Sequence, residues 1–156
     1  MMREAANGPI GRLLGEFTPN ERSVDRVLAG LSLRRKIGQM MVVGFPERFD
    51  GFEGRLPDGI LSLLADPGVG GVGLFARNAK DPAEMLALTS SLQEAAMAAG
   101  APVPLFIMAD QEGGIVMQVT AGATVFPGNM ALAATGEPAI AYEATRIIGL
   151  EALAMG

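Results

Sequence analysis

Three short apolar runs, separated by segments with helical patterns, constrain the fold of this sequence more than any other feature. The runs are "MMVVG" (40–44), "GVGLFA" (71–76) and "VPLFIMA" (103–109). A short apolar run bounded by turn residues is typical of a buried strand. Because strands that alternate with helices form βαβ units, the sequence predicts an α/β fold with a parallel sheet.

The segments between these runs carry start and stop signals for helices. Asp81, Pro82 and Glu84 suit the N-cap, N1 and N3 positions of one helix, in an arrangement like a capping box. Gly100 suits the C′ position at its end. Further helices are predicted over 21–30, over 32–39 with Ser32 as N-cap, over 60–66 before Pro67, and over 138–155.

The 156 residues predict one domain with an N-terminal extension. Glycine and proline interrupt residues 1–30, which we interpret as an arm, and the regular pattern occupies 31–156. We find no apolar span of transmembrane length and no signal-peptide pattern, so a cytoplasmic location is expected and a membrane partner is not.

The composition limits the chemistry, because the sequence contains no cysteine and no histidine. Disulfides, thiolate metal sites, histidine zinc sites and Ser-His-Asp catalysis are therefore excluded. Lysine and arginine number 12 against 17 acidic residues, which gives a net charge of −5 and no basic surface typical of nucleic-acid binding. We expect no metal, no cofactor and no nucleic-acid partner.

The glycine-rich segment "PGVGGVGLF" (67–75) is not typical of a dinucleotide-binding loop. Such a loop follows a strand and precedes a helix, whose N-terminus then faces the phosphate. Here the glycines follow a helix and precede a strand. They indicate a tight turn with close helix–strand packing.

Two polar segments follow the second and third runs, where the carboxyl ends of parallel strands gather ligands. Arg77, with Asn78, either lines a site there or belongs to a solvated loop. Asp110 and Glu112 would have Cα atoms about 6.6 Å apart in an extended chain. Glycosidase carboxyl pairs lie about 5–9.5 Å apart, so a catalytic pair and a ligand-binding residue with a bracing partner both remain open.

Four segments together resemble the N-terminal portion of glycoside hydrolase family 3, especially its β-N-acetylhexosaminidase branch. They are "LSLRRKIGQMMVVGF", "GVGGVGLFARNAKDPAEM", "PLFIMADQEGG" and "TVFPGNMALAATGEP". The resemblance implies a (β/α)8 barrel of which this sequence holds the first three βα units. It also implies metal-free, retaining hydrolysis of terminal N-acetylglucosamine-type β-glycosides by the full-length enzyme.

The resemblance also implies roles for individual residues. The aspartate of the DQEGG motif binds hydroxyls of the non-reducing sugar, so Asp110 is the predicted substrate-binding residue, with Glu112, Gly113 and Arg77 as further candidates. The aspartate nucleophile and histidine acid/base of the family have no counterpart here, so no catalytic residue is predicted and this chain alone is expected to be inactive. The alternative is a non-catalytic sugar-binding or interaction module.

The sequence departs from the family at Ile115 and Gln118, where basic residues are common. Neither replaces the bidentate, charge-assisted contacts of arginine, so the sugar clamp is weaker or other groups supply it. A complete barrel also needs about 250 residues. A three-stranded part would expose a sheet edge and apolar faces, which predicts self-association.

Overall fold

A computed structural model describes residues 21–45 and 51–156 of the chain. Most of the predicted arm, residues 1–20, lies outside the described residues. The elements alternate as predicted: α1 (Glu21–Gly30), α2 (Leu33–Gln39), β1 (Val42–Val43), α3 (Asp58–Ala65), β2 (Gly71–Leu74), α4 (Pro82–Ala98), β3 (Phe106–Ala109), α5 (Asn129–Ala134) and α6 (Pro138–Ala154).

The described strands form one parallel sheet in the order β1-β2-β3. Val42 of β1 pairs with Gly71 of β2, and Leu74 at the end of β2 pairs with Ala109 at the end of β3. The prediction of an α/β fold with a parallel sheet is confirmed. The strands are shorter than the apolar runs, and the other residues of each run lie outside the hydrogen-bonded ladder.

One face of the sheet packs against helices α3 and α4 and forms the core. Val72 and Leu74 of β2 point to this face and are buried. Right-handed crossovers place consecutive helices on the same side of a parallel sheet, so both helices contribute to one core. Their buried side chains include Ile60, Leu64, Met85, Leu88 and Leu92.

The other face of the sheet is exposed. Val42 is 49% exposed, Phe106 73% and Met108 47%. Register and strand alternation place these three side chains on the same side as Gly71 and Gly73. The prediction that the first and third runs form buried strands is therefore wrong for this face. The helices that follow β1 and β2 cover only the core face of the sheet.

Helix α4 begins as predicted, but its capping box is incomplete. The Asp81 carboxylate accepts a hydrogen bond from the Glu84 N–H at 2.9 Å, which confirms the N-cap. The Glu84 carboxylate accepts from the N–H groups of Lys80 and Phe52 instead of returning to Asp81. Glu84 therefore ties the loop before α3 to the start of α4, a contact that local sequence does not predict.

A single arginine joins the ends of both core helices at the opposite end of the sheet. The Arg35 guanidinium donates to the carbonyls of Gly100 at 3.0 Å, Ala99 at 3.1 Å and Ala65 at 3.2 Å. The last carbonyls of a helix have no intrahelical partner and carry its negative dipole end. Arg35 satisfies such carbonyls at the ends of α3 and α4 together.

The glycine-rich segment forms the predicted tight turn between α3 and β2. Gly68 has a φ of +78°, and a Cβ on Gly70 would lie 2.1 Å from the carbonyl oxygen of Gln39. The backbone of β2 thus enters the sheet in direct contact with the end of α2.

Three further predictions differ in detail from the structure. Helix α3 begins two residues before the predicted start, and α5 lies within a segment predicted to be a loop. Helix α6 ends at Ala154, one residue before the predicted end, and Met155 is its buried C-cap. Among residues 21–45 and 51–156, no helix is long and apolar enough to cross a membrane.

Substituting Gly70→Ala should destabilise the chain by about 1–3 kcal/mol, because the added methyl group overlaps the Gln39 carbonyl. Gly73→Ala, in strand β2, which begins directly after Gly70, is the control, since nothing lies within 4 Å of its added Cβ. Urea unfolding measures both free energies. Equal stability of the two variants would contradict the described contact between α2 and β2.

Candidate functional site

The carboxyl ends of β2 and β3 lie side by side and bring the two predicted polar segments together. Because the ladder ends at the Leu74–Ala109 pair, the next residues of each strand leave the sheet at the same edge. Arg77 and Asp110 both belong to this edge. The register therefore places both candidate residues at one edge of the sheet, and their role in binding stays a prediction.

The loop after β3 is closed by the side chain of Gln111. Its Oε1 accepts from the N–H groups of Gln118 at 2.8 Å and Val119 at 3.1 Å, and its Nε2 donates to the Val119 carbonyl at 2.8 Å. Val119 is buried, so the far end of the loop is anchored in the core. Sequence reasoning did not single out Gln111; its place inside the DQEGG motif was the only signal.

Gly113 and Gly114 form a tight turn. Their φ angles are +91° and +63°, a region that glycine adopts far more readily than other residues. The Glu112 N–H donates to the Val116 carbonyl at 2.9 Å, and Gly113 and Val116 form an isolated antiparallel bridge. The chain thus reverses direction directly after the two candidate carboxylates.

The same two glycines pack against the segment "FPG" (126–128). The Gly114 N–H donates to the Phe126 carbonyl at 2.8 Å. A Cβ on Gly113 would lie 2.6 Å from the Pro127 carbonyl oxygen, and one on Gly114 would lie 2.9 Å from the Gly128 Cα. The DQEGG and FPG motifs are therefore in contact backbone to backbone, which only glycine permits at these positions.

The Asp110 side chain is exposed at the end of β3. Within the part of the chain that the structure describes, its carboxylate forms no hydrogen bond and no ion pair with protein groups. Its backbone, in contrast, is held by β3 on one side and by the Gln111 loop on the other. Asp110 thus presents an exposed carboxylate from a fixed backbone.

Glu112 is also exposed, and its carboxylate contacts the beginning of α5. Its Oε2 accepts from the Asn129 side-chain amide at 3.5 Å. This contact is consistent with a residue that braces the loop against α5. Of the two interpretations left open by spacing, the bracing role has a contact to support it.

Arg77 lies in the turn that follows β2. Its guanidinium carbon is 4.6 Å from the centroid of the Phe75 ring, a cation–π arrangement on the surface. Asn78 is buried, and its side-chain oxygen accepts from the Phe75 N–H at 2.7 Å. The suggestion that Asn78 lines the site is therefore not supported, because its side chain shapes the turn that presents Arg77.

The two positions that depart from the family pattern have different environments. Ile115, at the tip of the turn, is fully exposed. Gln118 bridges the two strand ends: its Oε1 accepts from the Ala76 N–H at 2.9 Å, and its Nε2 donates to the Asp110 carbonyl at 3.3 Å. No acidic cluster suited to a metal ion occurs among the described residues.

Comparison with known proteins identifies relatives of this chain. The profile described as "Glycosyl hydrolase family 3 N terminal domain" matches residues 32–156. "Beta-hexosaminidase A" of Pseudoalteromonas piscicida is 42% identical over 81 residues, and "Beta-hexosaminidase" of Alkalilimnicola ehrlichii is 44% identical over 85 residues. These alignments cover 51% and 54% of this chain.

A solved structure matches the described fold. The glycoside hydrolase family 3 β-N-acetylglucosaminidase from Paenibacillus sp. str. FPU-7 superposes with a TM-score of 0.72 and 40% sequence identity over 81% of this chain. The matched region spans 23% of that structure, and 14% and 23% of the two β-hexosaminidases. The aligned part of this chain thus spans less than a quarter of each of these relatives.

Substituting Gly113→Ala should detach the DQEGG turn from the FPG segment. The variant combines a strained positive φ, which costs about 1–2 kcal/mol, with overlap of the Pro127 carbonyl. Gly136→Ala is the matched control, because Gly136 has a φ of +71° but nothing within 4 Å of an added Cβ. Urea unfolding should show the larger loss of stability for Gly113→Ala; equal losses would refute the backbone contact.

Proposed function

Because the chain belongs to glycosyl hydrolase family 3, we propose that it is the sugar-binding N-terminal part of a retaining β-N-acetylhexosaminidase. In this proposal residues 1–30 are an arm and residues 31–156 belong to the catalytic barrel. The full-length enzyme hydrolyses terminal N-acetylglucosamine-type β-glycosides in the cytoplasm, without a metal and without nucleic-acid or membrane partners.

The observation that carries the proposal is the carboxylate of Asp110, which is exposed at the carboxyl edge of the sheet and bonds no protein group among the described residues. An ionised carboxylate accepts several hydrogen bonds, and those from sugar hydroxyls to it are stronger than neutral ones. Its backbone is held by a strand and a closed loop, so the carboxylate meets a sugar from a fixed position. Arg77 lies at the same edge and supplies donors, while Glu112 and Gly113 shape the loop.

The bond-breaking groups are not supplied by these 156 residues. The chain contains no histidine, whereas the family resemblance assigns the acid/base role to a histidine and the nucleophile to an aspartate of a later segment. A retaining mechanism needs both groups flanking the glycosidic bond. We therefore propose that this chain contributes substrate binding and that other polypeptide contributes catalysis.

The exposed sheet face suits the interior of a (β/α)8 barrel. Helices lie on one side of the sheet, and the opposite side carries apolar side chains and the small residues Gly71 and Gly73. Among the described residues no strand pairs with the outer edge of β3, and this edge would accept a fourth parallel strand. We propose that the three described strands are the first three of such a barrel.

The 156-residue chain should bind N-acetylglucosamine weakly, with a dissociation constant above about 1 mM, and should not hydrolyse an aryl N-acetylglucosaminide. Asp110→Asn should weaken binding about tenfold or more, because charge-assisted hydrogen bonds are lost. NMR shift titration measures the affinity, and Asp25→Asn, also exposed, is the control. Unchanged affinity in Asp110→Asn, or turnover that this substitution abolishes, would contradict the proposal.

Tighter binding by a monodisperse monomer would favour the alternative, a non-catalytic sugar-binding module. The same titration therefore separates the two functions. Sedimentation velocity on the same sample shows whether the chain that binds the sugar is a monomer.

We further propose that the isolated chain self-associates through its exposed sheet face and edge. Phe106→Glu, which places a charge on this face, should shift the chain towards monomer in sedimentation velocity. Ile115→Glu is the matched control, since Ile115 is equally apolar and fully exposed but lies in a turn. The same shift in both variants, or in neither, would argue against association through the sheet.

A further inference from the structure

We propose that Gln118 is a positioning residue that fixes the spacing between Asp110 and Arg77. The inference rests on the proposed function, because it assigns these two groups to one sugar site. It concerns how the site is held in shape rather than which groups contact the sugar.

Gln118 cross-links the two strands just beyond the end of their ladder. The last pair of β2 and β3 is Leu74 with Ala109. The Gln118 amide accepts from the N–H of Ala76, two residues after Leu74, at 2.9 Å. It donates to the carbonyl of Asp110, one residue after Ala109, at 3.3 Å. The side chain therefore takes the place of a further backbone rung between the diverging strand ends.

The backbone of Gln118 is itself fixed. Its N–H donates to the Gln111 Oε1 at 2.8 Å, and its neighbours Met117 and Val119 are both buried. A side chain can hold other groups in place only when its own backbone is fixed. Here the hydrogen bond to Gln111 and the two buried neighbours fix the backbone of Gln118. Gln118 thus connects a core-anchored segment to both strand ends.

An amide is suited to this link because it carries a donor and an acceptor. Lysine and arginine have donors only, ionised glutamate has acceptors only, and methionine has no strong group of either kind. A basic residue, which is common in the family at this position, would bond the Asp110 carbonyl but leave the Ala76 N–H without its acceptor. The departure at Gln118 therefore provides a connection between the strand ends that a basic residue cannot make.

The link bears directly on the candidate site. Ala76 precedes Arg77 in the chain, and the bonded carbonyl belongs to Asp110 itself. Binding groups need to be held within about 0.5 Å of their productive positions. Loss of the link would let the two strand ends separate and would change the distance between the guanidinium and the carboxylate.

Three substitutions separate the two halves of the link. Gln118→Glu keeps the acceptor and should preserve slow hydrogen exchange at the Ala76 amide, while the carbonyl carbon resonance of Asp110 shifts. Gln118→Lys keeps a donor and should give the converse result. Gln118→Met should lose both hydrogen bonds. We expect hydrogen exchange at the Ala76 amide to become about tenfold faster and N-acetylglucosamine binding to weaken about threefold to tenfold.

Gln39→Met is the matched control, because the Gln39 amide also bonds a backbone carbonyl, that of Gly68 at 2.9 Å, in the turn that precedes β2. This variant should lose stability without changing the Ala76 amide or the sugar affinity. Urea unfolding establishes that each variant is folded under the conditions of the titration.

Unchanged exchange at Ala76 in Gln118→Met would overturn the proposal, as would wild-type sugar affinity in that variant. If the wild-type chain does not bind N-acetylglucosamine, the proposed function fails. The proposal for Gln118 is then decided by the Ala76 exchange rate and the Asp110 carbonyl resonance alone, so the two failures are distinguishable.

Discussion

The hydrogen bonds of the Gln111 side chain are the constraint on which the candidate site depends. They join the start of the loop after β3 to the backbone of residues 118 and 119, and so close the loop on itself. Backbone groups that leave a sheet need new partners, and here one amide supplies three bonds. The carboxylate of Asp110 and the bridging amide of Gln118 both take their positions from this closure.

Glycine packing extends the same constraint to the rest of the chain. The turn at Gly113 and Gly114 lies in backbone contact with the FPG segment, which leads directly into α5. At the other end of the sheet, Gly70 allows β2 to contact the end of α2. Close backbone contacts at both ends of the sheet leave the strand ends little freedom to move.

Local signals in the sequence predicted the fold class and several of its turns and helix ends. Alternating apolar runs and helix signals sufficed for the parallel sheet. The N-cap at Asp81 and the tight turn within residues 67–75 were confirmed because each depends on a few neighbouring residues. The family resemblance was confirmed by the match over residues 32–156. The role of Asp110 in sugar binding stays a prediction.

The features that the sequence did not predict depend on residues distant along the chain. Gln118 bonds a backbone group 42 positions away, and Glu84 bonds one 32 positions away, so no local pattern indicates either contact. Helix α5 has only six residues, too few for a clear apolar period. The exposed face of β3 depends on which side the helices occupy, which the apolar composition of the run alone does not reveal.

The central claim is that Asp110 contacts a carbohydrate at the carboxyl edge of the sheet. Intermolecular nuclear Overhauser effects between N-acetylglucosamine and the isotopically labelled chain test this contact most directly. The account predicts effects from the sugar ring protons to the Asp110 side chain and to the neighbouring turn. Effects confined to another surface, such as the exposed face around Phe106, would contradict it.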